Sequence, residues 1–249
     1  MLALDANRLT LSLAKMERRS SLSSASREAF LNLNTRSASF AAQRELVREG
    51  DRTDACLFLE SGVVSGSKML PNGGRQIVVF HFAGDMLGLA SSLLLVADNT
   101  LRAHSSAVVL SVAAADILRL AQEFPEIGRA FWFDTLVDAS IFREWNLNVG
   151  RRGARERLAH LLLEMGCKSE AALIDDKADF AFPITQTDLA DALGLTPVHV
   201  NRSMQWLRGQ GYVRNFGKRM IIRNWEGLSA FAAFRPLYLH PEGPRELAH

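Results

Sequence analysis

Apolar residues change their period along this chain, and each change predicts a different kind of element. From Ala38 to about Val112 they form short alternating or continuous runs broken by glycine and proline. Glu45 to Val47, Ala55 to Ser61, Gly62 to Met69, Gln76 to Phe82 and Ala107 to Ala113 read as strands, and Pro71-Asn72-Gly73-Gly74 as a hairpin turn. Many short strands with close turns predict an antiparallel barrel or roll. From Pro125 to Asn148 the period becomes helical. Ile127, Phe131, Leu136, Val137, Ile141, Phe142 and Trp145 recur every three or four positions, which predicts a helix of about 24 residues, roughly 36 Å long. Its apolar positions cover more of the circumference than one small domain needs, although Asp134 and Asp138 interrupt any strict heptad. The helix is therefore expected to pair two chains, with Phe131, Val137 and Ile141 at the pairing surface.

A second helical pattern follows Gly150, which reads as a hinge. Leu158, Leu161, Leu162 and Met165 mark a helix that opens with Arg151, Arg152, Arg155 and Arg157, and Arg152 is placed to meet a phosphate. Beyond a polar loop, the stretch Ile184 to Tyr212 reads as two short helices and a sharp turn. Thr185 can cap the first helix, with Asp188 three residues later completing a capping-box-like start. Gly194 tolerates the left-handed conformation that ends it, and Thr196-Pro197 starts the next helix. In that second helix Val200, Met204 and Leu207 share one face, leaving Pro197, Val198, His199, Asn201, Arg202 and Gln205 for another. A helix-turn-helix offers this pattern, and so does a plain helical hairpin packed in a core. Two short strands, Tyr212 to Arg214 and Met220 to Arg223, then enclose a wing whose tip carries Lys218 and Arg219. Both can reach a phosphate, or can be the solvated tip of a hairpin.

Composition narrows the class. With 249 residues, 48% hydrophobic and 22% charged, the chain has the make-up of a two-domain globular protein. The net charge of +2 is unevenly divided: residues 151 to 225 hold 12 Lys and Arg against 8 Asp and Glu, or +4, a modest basic excess where nucleic acid would bind. Cys56 and Cys167 have no metal-ligand spacing, so no disulfide framework, metal or cofactor is expected. No apolar run reaches membrane-span length and no signal peptide is legible, so a cytoplasmic location is expected, without a membrane partner. No phosphate loop or nucleophile motif points to an enzyme. Residues 1 to 28 are polar and serine-rich, and read as a solvated arm or as a short helix packing through Leu9, Leu13 and Met16. The glycines of Gly84-Asp85-Met86-Leu87-Gly88, ahead of a short helix expected at Leu89 to Val96, turn a barrel corner or admit a ligand.

The order roll, long helix, hinge and winged helix-turn-helix resembles the CRP/FNR family of bacterial transcription regulators over about residues 38 to 223. The resemblance is carried by GRQIVVFHFAGDMLGL (Gly74 to Leu89), GRRGARERLAHLLLEM and ITQTDLADALGLTPVHVNRSMQWLRGQGYV. It implies an α+β fold: an N-terminal arm (1–28), an antiparallel β-roll like a cyclic-nucleotide-binding jelly roll (29–124), a dimerisation helix (125–149), and a winged helix-turn-helix with a C-terminal extension (150–249). It also implies a homodimer that binds double-stranded DNA at a palindromic site and works with RNA polymerase. Val198, Asn201 and Arg202 take base-reading positions, Arg202 by a bidentate bond to guanine. Thr185, Gln186, Thr196 and His199 take phosphate positions. Pro197 and Val198 stand where other branches carry a charged pair.

In the sensor the chain departs from the pattern. Cyclic-nucleotide-binding members carry a glutamate where Leu89 stands and an arginine-serine pair near Asp98-Asn99, and only Arg102 is close enough to replace the lost cation. Gly88, Leu89 and Arg102 are thus the residues left for an effector pocket, and the small-molecule effector is unidentified. The oxygen-sensing branch needs an N-terminal cysteine cluster, and no cysteine precedes Cys56. Haem would need His81 or His104. Beside the regulator stand two other readings, a cyclic-nucleotide-responsive regulator and a ligand-binding module whose winged domain contacts proteins.

Overall fold

A computed structural model of the chain describes residues 8–241. The outermost residues of the arm and of the C-terminal extension lie outside the described residues. The chain forms two compact units. One takes the described residues through Gly66, His81–Ser140 and those from Leu239; the other takes Ser67–Phe80 and Ile141–Tyr238.

The first unit begins with helices α1 (Thr10–Glu17) and α2 (Ser24–Leu31), where the sequence left a solvated arm or a packed helix open. The packed helix is present: Leu9, Leu13 and Met16 are buried, Lys15 pairs with Asp85 at 2.7 Å, and Arg8 pairs with Glu60. Strands β1 (Arg36–Phe40), β2 (Glu45–Val47), β3 (Ala55–Ser61), β4 (Val63–Met69), β5 (Arg75–Phe82), β6 (Thr100–Ala103) and β7 (Ala107–Ala113) follow, with the end of β4 and most of β5 falling in the second unit. They form two sheets, β1-β7-β3, antiparallel throughout, and β2-β6-β4-β5, in which β2 and β6 run antiparallel. Strands β1 and β6 were not read from sequence. β1 (RSASF) is short, polar and largely exposed, so it carries no alternation.

Among the described residues, two apolar clusters pack this unit. One joins α1, α2, β3 and β7 to helix α3 (Ala114–Glu123) and to the start of α4 (Pro125–Arg151), with Phe30 and Phe58 edge to face at 5.9 Å. The other packs Leu59, Val64, Leu87, Leu101, Ala103, Ala107 and Val109 together. Gly84 makes the corner before η1 (Leu89–Ser92), the single 3-10 turn found where a longer helix was expected. Its φ is +88°, and an added Cβ would meet Lys15 at 3.0 Å and the Leu11 carbonyl at 3.1 Å, so this glycine turns the chain against α1.

Helix α4 runs three residues beyond the expected end, through Gly150 to Arg151. The break falls at Gly153, which is extended and begins α5 (Ala154–Lys168), so Gly150 is helical and not the hinge. The expected pairing residues are already covered within the chain. Phe131, Val137 and Ile141 are buried within the single chain, Phe131 in the core with Phe30 and Ile127. The apolar side chains that α4 leaves exposed are Trp132 (67%), Leu136 (52%), Phe142 and Leu147. Helical spacing sets Trp132, Leu136 and Leu147 on one stripe. Periodicity counts apolar positions without saying which of two surfaces each one serves.

The second unit holds α5, β8 (Ala178–Ala181), α6 (Gln186–Leu193), α7 (Pro197–Gly209), β9 (Val213–Phe216), β10 (Arg219–Ile222) and α8 (Trp225–Ala232). Its sheet order is β8-β10-β9, antiparallel throughout. The C-terminal extension closes over α5. Glu164, fully enclosed, accepts from Trp145 Nε1 at 2.8 Å and from the Tyr238 hydroxyl at 2.6 Å. Burial raises the Glu164 pKa above the ordinary carboxyl value, against the opposing hydrogen bond from Tyr238. Tyr238→Phe removes one of these donors, so it should lower stability by about 1–3 kcal/mol. The urea midpoint measures this, and an unmoved midpoint would show that the bond contributes nothing net.

Candidate nucleic-acid interface

The α6–α7 pair is shaped by local chemistry. Thr185 Oγ1 accepts from the Asp188 amide at 3.1 Å, and Asp188 Oδ2 accepts from the Thr185 amide at 3.2 Å, closing the capping box. Gly194 is left-handed at φ 61°, ψ 40° and ends α6; an added Cβ would meet Val149 at 3.3 Å. Thr196 caps α7 through the His199 amide at 3.3 Å, with Pro197 in the first turn. Val200, Ser203, Met204 and Leu207 are buried, which turns the other face outward. Val198, His199, Arg202 and Gln205 are exposed, Asn201 is half-buried, and Thr185, Gln186 and Thr196 are exposed at the two helix starts.

One side-chain bond joins the two helices on this face: Asn201 Nδ2 donates to Gln186 Oε1 at 3.3 Å. Arg157, one of the arginines at the start of α5, braces the rear. Its Nη1 donates to the Leu193 carbonyl at 3.0 Å and its Nε to the Arg152 carbonyl at 2.8 Å. Arg155 lies over the Trp206 ring at 4.6 Å, and Trp206 packs on Phe231 at 4.9 Å. These contacts hold α7 from behind while its polar face stays open.

The wing is present, with Gly217 at φ +55° in its turn and Lys218 exposed. The two remaining phosphate candidates each pair with a carboxylate, Arg219 at the exposed surface. Arg219 Nε pairs with Asp179 Oδ1 at 2.9 Å across β10 and β8. Arg152 is only 15% exposed and is held by Glu144 at 2.7 Å. Position in sequence placed both near the interface, but their direction depends on carboxylates remote in sequence.

The expected effector residues do not converge. On β6 Leu101 and Ala103 face inward, so strand alternation sends Arg102 the other way, where its Nε donates to the Gln43 carbonyl at 3.3 Å. Leu89 packs against the core of the unit, and Gly88 is the cap of the 3-10 turn. Of the two roll histidines, His104 shares a buried 2.7 Å hydrogen bond with Ser65, and His81 Nδ1 lies 3.7 Å from Asp85.

With this geometry in place, comparison with known proteins gives a coherent result. Residues 37–124 match the cyclic nucleotide-binding domain and residues 156–231 the Crp-like helix-turn-helix domain. A probable transcriptional activator of Rhizobium leguminosarum bv. viciae is 31% identical over 194 residues, spanning 77% of this chain and 79% of that protein. The nitrogen fixation regulation protein FixK of Bradyrhizobium diazoefficiens is 31% identical over 197 residues, spanning 78% and 80%. The solved structure of FixK2 from Bradyrhizobium japonicum superposes with a TM-score of 0.72 at 27% identity, covering 80% of this chain and 97% of that one. The chain combines a roll with a winged helix-turn-helix whose polar face is open, and it belongs to the CRP/FNR family of transcription regulators.

Proposed function

We propose that this regulator acts in the bacterial cytoplasm as a homodimer on a palindromic DNA site, with α7 in the major groove. The observation that carries the reading is the split of α7 into a buried apolar face and an exposed face bearing Val198, His199, Asn201 and Arg202. Arg202 donates bidentately to a guanine, Asn201 reads an adjacent edge, and Val198 offers apolar contact to a thymine methyl. Thr185, Gln186, Thr196, His199 and Lys218 hold phosphates and fix the register. Two such helices about one turn of DNA apart, roughly 34 Å, read the two half-sites. The relatives' names as activators support RNA polymerase as the protein partner.

Selection from random-sequence duplexes, followed by anisotropy titration on the selected site, tests this reading. Arg202→Ala should weaken that site by about 1–3 kcal/mol and relax selection at one symmetric pair of positions. A wild-type protein that enriches no sequence, or an Arg202→Ala protein that binds the selected site equally well, sinks the assignment.

A further inference from the structure

The hairpin that joins β4 to β5 belongs by sequence to the roll, yet Ser67–Phe80 sits in the same compact unit as the helix-turn-helix. Its leading residue on β5 grips α6. Arg75 Nη2 donates to Asp188 Oδ1 at 2.8 Å, and Arg75 Nε donates to Asp191 Oδ2 at 2.7 Å. The next residue adds a third bond, from Gln76 Nε2 to the Ala192 carbonyl at 3.1 Å. Lys168 Nζ fixes the far end of the same hairpin segment by donating to the Phe80 carbonyl at 2.7 Å.

From this geometry we infer that Arg75 is a positioning residue for DNA binding, holding α6 in the orientation from which its start meets phosphate. The inference rests on the reading of Thr185 and Gln186 as phosphate contacts. Asp188 is the link. One of its oxygens takes Arg75, and the other takes the Thr185 amide together with the Thr185 hydroxyl at 2.6 Å. The guanidinium thus tightens the same carboxylate that caps α6, in the same first turn as Gln186, which bonds to Asn201 of α7.

Charge gives a second reason. Asp188 lies within the first turn of the phosphate-facing end and Asp191 in the second, at axial distances comparable to or below the Debye length of about 8 Å at physiological salt. Arg75 offsets both. The ion pairs are largely enclosed, with Arg75 16% and Asp188 3% exposed, so solvent screens them less than a surface pair. A fork of donors can span two carboxylates, whereas an ammonium cannot hold that geometry. Both strands of the hairpin continue covalently into the roll, so a displacement of β5 along its own axis would draw on α6 through this grip.

The experiment compares full-length wild type, Arg75→Ala and Arg75→Lys by amide hydrogen exchange and by titration of the selected DNA site at several salt concentrations. Arg75→Ala should speed exchange of the Gln186–Leu193 amides about tenfold, and weaken site binding about tenfold through loss of charge-assisted bonds. The salt slope should stay constant, because Arg75 itself neutralises no phosphate. Arg75→Lys, which keeps the charge and loses the fork, should fall between the two and serves if the alanine variant does not fold. Unchanged α6 exchange in either folded variant overturns the inference, as does a salt slope that drops by about one, the mark of a direct phosphate ligand. Exchange can be read without DNA, so a failure of the α7 assignment, seen with Arg202→Ala, is distinguishable from a failure of the grip.

Discussion

Trp132→Glu combined with Leu136→Glu should turn a dimer into a monomer and lower affinity for the palindromic site about 10²- to 10⁴-fold, the loss expected when two linked contacts become one. Both side chains lie on the stripe of α4 that the single chain leaves uncovered, at 67% and 52% exposure. Large apolar groups repeated at helical spacing on one open face are the feature a second copy would cover. A carboxylate at each position must either be desolvated in the pair interface, which is costly, or keep the helices apart. Because neither residue lies in the core of the chain, the monomer should melt as a folded protein. Sedimentation at several concentrations, with anisotropy titration beside it, gives both readings. A double variant that remains dimeric with unchanged affinity would remove this face from the assembly.

What could be read from sequence was local, and what could not depended on distant partners. The capping box of Thr185 and Asp188, the left-handed Gly194 and the Thr196-Pro197 start lie within four residues of the bonds they make. Their chemistry is therefore written in adjacent letters, and α6 and α7 were legible almost to the residue. Strands β3 (ACLFLES) and β7 (AVVLSVA) were legible as short, nearly continuous apolar runs. By contrast, the direction of Arg152 is set by Glu144 and that of Arg219 by Asp179. Arg75, 113 residues from Asp188, carried no sign of its role. The contacts of the β4–β5 hairpin likewise depend on distant partners. The hairpin reads as part of the roll by order along the chain, whereas its ion pairs place Ser67–Phe80 with α6.

One residue before Trp132 the expected outcome reverses. Phe131→Ala should lower stability by about 3–5 kcal/mol and leave the pairing of the folded fraction intact. Phe131 is 6% exposed and belongs to the cluster that contains Leu9, Phe30, Ile117 and Ile127. Removing its ring deletes apolar burial and opens a cavity, and the surrounding helices α1, α2 and α3 can collapse into that space only in part. Phe131→Leu keeps most of the volume and should fall between wild type and alanine. The two neighbouring positions thus separate two roles on one helix. Trp132 and Leu136 should change the concentration dependence of assembly at nearly constant urea midpoint, and Phe131 should change the midpoint at nearly constant assembly. An Phe131→Ala protein as stable as wild type but monomeric would restore Phe131 to the pairing surface, where helical periodicity alone had put it.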